Sequence, residues 1–327
     1  METGLSGMNE NKKIAVFENV SKSYGRLPAL ESVSFNIEQG EIFGFIGPNG
    51  AGKTTTIKIL VGLLTDFAGR VTVEGRAMPD ERLALTRTIG YMPQNVAFQE
   101  WRTVEQALVT FGRLSGLDRI GLAARIPQVL EDVGLSDVRS KRIIHLSGGM
   151  VQKLGIAQAL LHEPRFVILD EPLSGLDPGS RIRTKSLMKR LSGAGTTVFF
   201  SSHILSDVQD VAHRIGIIAK GRMLDIATLE ELKSRFSARN VMEIVLSHDA
   251  GTWKDAGAVS GVERLEQAGD GRLLLYFVPR ADEDETINLV TQSLIGKGNK
   301  IRSFKLLAPS LDDLYLRLVQ GLDWEAS

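Results

Sequence analysis

The chain has 327 residues, which at roughly 100–200 residues per domain suggests two domains or three. Its 39 basic and 39 acidic residues cancel, so it lacks the basic excess of a protein built to coat nucleic acid. With 43% hydrophobic and 24% charged residues and no cysteine, a mostly disordered chain, a disulfide scaffold, cysteine metal ligands and a thiol nucleophile are all excluded.

Residues 1–11 are polar and Gly-rich, without the apolar core of a signal peptide, and residues 1–12 are expected to form a flexible tail. No run reaches the roughly 18 consecutive apolar residues that a membrane-spanning helix needs. Up to about Arg235, short apolar strands alternate with helical stretches, the α/β pattern. Residues 41–46 (EIFGFI) read as a buried strand. A Gly-rich turn follows. In residues 54–64, Ile57, Leu60, Val61 and Leu64 then fall on one helical face. Residues 95–162 are dominated by helices, and Thr103 with Gln106 can form a capping box opening residues 104–114. Residues 166–169 (FVIL) and 197–200 (TVFF) are two more strand-like runs. Beyond them, Met242, Ile244 and Leu246 alternate as in a strand, and residues 273–278 (LLLYFV) are another. Ile287, Val290, Leu294 and Ile295 have helical spacing, and residues 301–307 read as a further strand. Pro309 and Ser310 open a last predicted helix, with Asp313 three residues on and Leu311, Leu314, Leu318 and Leu322 as its stripe. Residues 13–234 are therefore read as one α/β domain and 235–327 as a small α+β accessory domain.

Chemistry concentrates in a few places. Gly47, Pro48, Asn49, Gly50, Ala51, Gly52, Lys53 and Thr54 fit G-x-x-x-x-G-K-[ST] between a predicted strand and a predicted helix. Glycines there let backbone N–H groups converge on phosphate oxygens, and the helix N-terminus adds partial positive charge. Lys53 is expected to reach the β- and γ-phosphates, and the Thr54 hydroxyl to ligate Mg²⁺. A near-miss at residues 216–222 has the glycine spacing but Arg222 in place of the lysine, and reads as a strand turn. The run FVIL ends in Asp170 and Glu171. A buried strand ending in two acids delivers carboxylates to the C-terminal edge of a sheet, where phosphate sites form. Asp170 is the expected Mg²⁺ partner and Glu171 the general base for an attacking water. Alone, Glu171 reads as a solvated acid after a strand; beside the phosphate loop, the functional reading prevails. His145, His162, His213 and His248 carry no motif and are read as structural, and no spacing suggests a zinc site.

With these residues in place, the chain resembles the ATP-binding subunits of ABC transporters over about residues 13–234. Leu146-Ser147-Gly148-Gly149-Met150 is similar to the signature of that family, departing at Met150, where glutamine is usual. Ser174-Gly175-Leu176-Asp177 resembles the stretch after the paired acids, and His203 in Ser201-Ser202-His203 the switch histidine. Gln94 in Tyr91-Met92-Pro93-Gln94 matches the glutamine that senses the γ-phosphate and the metal, and Tyr24 the aromatic that stacks on adenine. The resemblance implies a P-loop nucleotide-binding domain with a helical subdomain. It implies ATP and Mg²⁺ as ligands and Glu171, His203, Lys53 and Gln94 as the catalytic set. Nucleotide contacts are then expected from Tyr24, from the phosphate loop through Thr55, and from Ser147, Gly148, Gly149 and Asp177. Thr54, Gln94 and Asp170 would hold the metal. Ser147 also reads as an N-cap, and without the resemblance its helix would be an ordinary capped surface helix.

One phosphate loop and one signature per chain imply two chains head to tail, either two identical copies or this chain with a paralogous subunit. The resemblance also implies a transmembrane permease partner, a peripheral cytoplasmic location and no nucleic acid. Phe98 and Trp101, just past Gln94, suit a docking surface for that permease; the alternative is local helical core. Residues 308–315 (APSLDDLY) are similar to the tails of ABC-2-type exporter ATPases, which favours export over import. A soluble ABC protein without a permease is disfavoured by the absence of a second nucleotide domain and of long heptads, and a GTP switch by the absence of an Asn-Lys-x-Asp reader.

Overall fold

The computed structural model describes residues 12–85, 87–236, 241–248, 251, 253–269, 271–278 and 281–307. Two compact units divide between Leu229 and Glu230. The tail expected over residues 1–12 and the helix expected after Pro309 fall outside the described residues, apart from Lys12.

The first unit opens with strands β1 (Lys13–Tyr24), β2 (Leu27–Glu38) and β3 (Ile42–Ile46), then helix α1 (Lys53–Leu60). Next come β4 (Ala68–Val73), β5 (Arg76–Met78), the short α2 (Arg82–Leu85) and β6 (Ile89–Met92). Helices α3 (Val104–Leu114), α4 (Arg119–Val133) and α5 (Gly148–Leu160) follow. Then β7 (Phe166–Leu169), α6 (Pro178–Gly193), β8 (Thr197–Ser202), α7 (Leu205–Gln209), β9 (Arg214–Ala219) and β10 (Arg222–Thr228) complete it.

Two sheets result. One is antiparallel with order β2-β1-β4-β5; the other has order β10-β9-β3-β8-β7-β6, parallel from β9 to β6. Strand β3 is buried at all five positions, as a central parallel strand covered on both faces must be. A run of rings crosses between the sheets: Phe17 stacks on Phe35 at 4.5 Å, Phe35 stacks across on Phe45 at 5.6 Å, and Phe45 meets Phe199 tilted at 5.3 Å. The antiparallel sheet is absent from the sequence reading. Register shifts in the β1–β2 and β1–β4 pairings, with Asn19 and Ser32 at positive φ, break the period-2 alternation that would have revealed it.

The helix expected over residues 54–64 ends at Leu60, because Gly62 turns left-handed at φ 72° and packs its Cα side on Arg82 and Met78. Leu64 still packs on the core from outside the helix. The capping box at Thr103 and Gln106 forms as expected and α3 has the expected limits. The near-miss at residues 216–222 is the β9–β10 turn.

Helix α8 (Leu229–Phe236) spans the division between the units. The second unit continues with β11 (Val241–His248), β12 (Val262–Gly269), β13 (Arg272–Phe277), α9 (Glu283–Gly296) and β14 (Lys300–Leu307). Its sheet is antiparallel with order β12-β13-β11-β14. Met242, Ile244, Leu246, Leu273, Leu275 and Phe277 meet Val290 and Leu294 of α9 in a separate core. Ile295, expected on that face, is 58% exposed, since it sits about 100° round the helix from Leu294.

Candidate nucleotide site

The site forms where β3 ends. Its loop has to be glycine-rich for reasons of space. A Cβ on Gly47 would lie 2.3 Å from the Ile218 carbonyl, and one on Gly52, at φ 108°, 2.7 Å from the Ala29 carbonyl. No side chain caps α1 at Gly52, so its first-turn N–H groups remain available for an anion. Lys53 opens that helix and is buried; its Nζ donates to the Gly47 and Pro48 carbonyls at 2.7 and 3.2 Å, which folds the ammonium across the loop.

Two parallel strands bring the other groups to this edge. After β7, Asp170 is fully buried: its Oδ2 accepts from Thr54 Oγ1 at 3.0 Å and its Oδ1 from Ser201 Oγ at 2.6 Å. Burial pushes the Asp170 carboxyl up, while those two hydrogen bonds pull it back. Glu171 is buried too, with Oε1 3.6 Å from Lys53 Nζ and Oε2 2.6 Å from His203 Nδ1. Its backbone sits at φ 54°, a region that residues with a side chain seldom adopt. Burial lowers the Lys53 pKa, and Glu171 and Asp170 oppose that. After β8, His203 is 41% exposed, so its ring meets both Glu171 and solvent.

The chemistry follows from this geometry. A glycine loop, an uncapped helix start and a buried ammonium make a cradle for a polyphosphate. The Thr54 hydroxyl and Asp170 carboxylate are hard oxygen donors. Paired at 3.0 Å, they are the kind of donors that suit Mg²⁺, which takes few protein ligands and completes its shell with water and phosphate.

The structure gathers Lys53, Thr54, Asp170, Glu171 and His203. The other expected residues lie on other segments. Tyr24 ends β1, half exposed, with Lys22 Nζ 5.4 Å from its ring centre. Gln94 is exposed two residues past β6, whose Met92 pairs with Leu169 of β7, so both strands run out at the same sheet edge. Ser147 caps α5 through the Met150 N–H at 3.3 Å, and Gly148 faces open space. Asp177 caps α6 through the Ser180 N–H at 2.9 Å, which holds its carboxyl below the usual range. Phe98 packs edge-on against Phe111 of α3, whereas Trp101 is 65% exposed under the Arg102 guanidinium. The two aromatics thus divide between local core and surface. His213 and His162 bond backbone, through the Ile42 N–H and the Ile89 carbonyl.

Sequence reasoning missed three groups here. Ser201 bridges the two acids, donating to Asp170 and accepting the Glu171 N–H at 2.9 Å. Gln152 of α5 donates to the Glu171 carbonyl at 3.0 Å. Arg181 of α6 makes two hydrogen bonds to buried Asp207, at 2.5 and 2.6 Å, and so ties α6 to α7 just after His203. Only the hydroxyl at the strand end carried a signal in sequence, two residues before His203.

Fold and site define a P-loop nucleotide-binding cassette. A family model described as ABC transporter matches residues 30–174, and one described as the C-terminal domain of DrrA1-3-like ATP-binding proteins matches residues 228–319. The chain is 36% identical over 309 residues to the uncharacterized ABC transporter ATP-binding protein YxlF of Bacillus subtilis (strain 168), covering 93% of this chain and 99% of that protein. It is 34% identical over 301 residues to the daunorubicin resistance ATP-binding protein DrrA3 of Streptomyces coeruleorubidus, covering 92% and 94%. Against the Nod factor export ATP-binding protein I of Paraburkholderia xenovorans (strain LB400) it is 35% identical over 262 residues, covering 80% and 85%. Among solved structures, an ATP-binding subunit of an ABC transporter matches with TM-score 0.64 and 31% identity over 68% of this chain and 93% of that one. A dimeric ATP-binding cassette in a post-hydrolysis state with ADP and Pi matches with TM-score 0.60 and 25% identity, over 66% and 98%. The chain belongs to the ATP-binding proteins of ABC transporters, the ATP-hydrolysing subunits of those machines.

Proposed function

We propose that this ATPase works with Mg²⁺, as a head-to-tail dimer, to drive a separate membrane permease in export. The observation that carries the hydrolytic reading is Glu171, held between Lys53 and His203 with the Asp170–Thr54 pair beside it. Lys53 and the loop 47–52 bind the phosphates, and Tyr24 stacks on the base. Thr54, Asp170 and Gln94 hold Mg²⁺, which when bound neutralises phosphate charge. Glu171 takes a proton from water, and His203, hydrogen-bonded to it, orients that carboxylate and reaches the terminal phosphate. Ser147, Gly148, Gly149 and Asp177 belong to the site of the second copy, which agrees with their distance in sequence and element from the loop. The exposed N-terminus of α5 and the dimeric relative bound to ADP and Pi support this arrangement.

Export is supported by the relatives concerned with drug resistance and Nod factor export and by the match of residues 228–319 to the C-terminal domain of DrrA1-3-like proteins. Among the described residues no helix is long and apolar enough to cross a membrane, so attachment on the cytoplasmic side falls to the permease, with exposed Trp101 a candidate contact. Glu171→Gln tests the whole reading. Turnover should fall about 10²–10⁴-fold while ATP–Mg²⁺ drives the variant into dimers in sedimentation. Monomers at saturating ATP would sink the dimer mechanism, and retained turnover would remove Glu171 as the base.

A further inference from the structure

The Glu171 carboxylate is aimed by its backbone, and that backbone is gripped from two sides. Its N–H donates to Ser201 Oγ of β8 at 2.9 Å. Its carbonyl accepts from Gln152 Nε2 of α5 at 3.0 Å and from the Ser174 N–H at 3.2 Å. A left-handed backbone at a residue with a side chain, here φ 54°, persists where its surroundings over-determine it. Gln152 therefore restrains a conformation that Glu171 would not keep alone.

The helix supplying that amide touches the site elsewhere. A Cβ on Gly149 would lie 3.3 Å from the Gly175 carbonyl, so the first turn of α5 rests on the segment after Glu171. A Cβ on Gly155 would lie 2.8 Å from Val96 and 3.2 Å from Met92, on either side of the Pro93-Gln94-Asn95 stretch. One helix thus abuts the chain leaving β6 and the chain leaving β7, and its exposed start is Ser147, five positions before Gln152.

We propose that Gln152 is a positioning residue for the hydrolytic step. Its amide holds the Glu171 peptide so that the carboxylate lies between Lys53 and His203, and it ties that carboxylate to whatever sets the position of α5. The proposal rests on Glu171 being the base. Gln152 touches no reacting group, so its loss lowers kcat rather than ATP affinity.

The test uses the full chain. Gln152→Met removes the donor at similar length, and Gln152→His keeps an N–H at similar reach. ATP turnover with Mg²⁺ is measured for each, and amide hydrogen exchange is followed without nucleotide. Gln152→Met should lower kcat about tenfold with KM for ATP within about twofold, and Gln152→His should recover most of that loss. The Ser174 amide, which shares the Glu171 carbonyl, should exchange about tenfold faster in Gln152→Met and near the normal rate in Gln152→His. If Gln152→Met fails to fold, Gln152→Glu, isosteric but without a donor, takes its place. Unchanged kcat, unchanged Ser174 exchange, a loss carried by KM, or no recovery in Gln152→His would each overturn the proposal. An inactive parent chain would instead strike at Glu171 as base, and the exchange arm would still read the grip of Gln152 on the peptide.

Discussion

Ser201 has two jobs in a place where water cannot substitute. Its hydroxyl donates to Asp170 Oδ1 and accepts the Glu171 N–H, and all three residues are buried. Ser201→Ala leaves a buried carboxylate oxygen and a buried N–H unpaired, and should cost about 1–3 kcal/mol in denaturant unfolding. Turnover should fall as well, since both acids lose a tether; a variant of normal stability would show that another group takes over. Glu41 shows the same physics away from the site. It is 7% exposed, its Oε1 accepting from the Glu38 N–H at 2.6 Å and from Arg214 Nη1 at 3.2 Å. Burial nevertheless raises its carboxyl from 4.5 to about 6, against the pull of those partners. The folded state then binds the proton more tightly than the unfolded chain. The benefit is complete below about pH 4.5 and is lost as pH rises to about 6. Glu41→Gln abolishes this dependence, so its stability relative to the parent should rise by about 2 kcal/mol across that window. A pH-independent difference in unfolding free energy would contradict it.

At the scale of elements, α5 depends on the absence of a side chain beneath it. A Cβ on Gly90 of β6 would sit 2.1 Å from the Ala159 carbonyl of α5, a contact with backbone that no rotamer change relieves. Gly90→Ala must shift the helix, at about 1–3 kcal/mol for overpacking. Because α5 carries both Ser147 and Gln152, turnover should fall beyond what lost stability explains. Thr103→Ala is the comparison: it removes the α3 capping box at about 1 kcal/mol and should leave kcat of the folded fraction intact. Equal effects of the two variants on kcat would detach α5 from the site. The same close approach at Gly44, where a Cβ would meet Val208 at 2.1 Å, seats α7 on β3 just after His203.

Across the whole molecule, two units each enclose a core of their own, and the groups proposed as catalytic all belong to the first. Five parallel strands send their C-terminal ends to one edge, and the loop, both acids, His203 and Gln94 leave from there. Distant sequence segments thereby meet: Thr54 bonds Asp170 across 116 positions. A net charge of zero gives no bulk attraction to anionic lipid. Under the proposed export role, then, washed membranes lacking the permease retain little of the chain.

Sequence alone determined the α/β class, the glycine loop between β3 and α1, the paired acids after β7 and most central strands, because these are local signals. A buried parallel strand is a continuous apolar run, a capping box spans four residues, and the G-x-x-x-x-G-K-T pattern lies within eight residues. What the tertiary structure decided depends on residues far apart in the chain. The antiparallel sheet escaped the alternation test because its bulges shift the side-chain period. The end of α1 at Leu60 was set by Gly62 against Arg82, and the exposure of Ile295 by which side of α9 the sheet occupies. The grip of Ser201 and Gln152 on Glu171 belongs to the same group. Serine and glutamine are ordinary in any sequence. They become positioning groups only when β8 and α5 are packed against the end of β7.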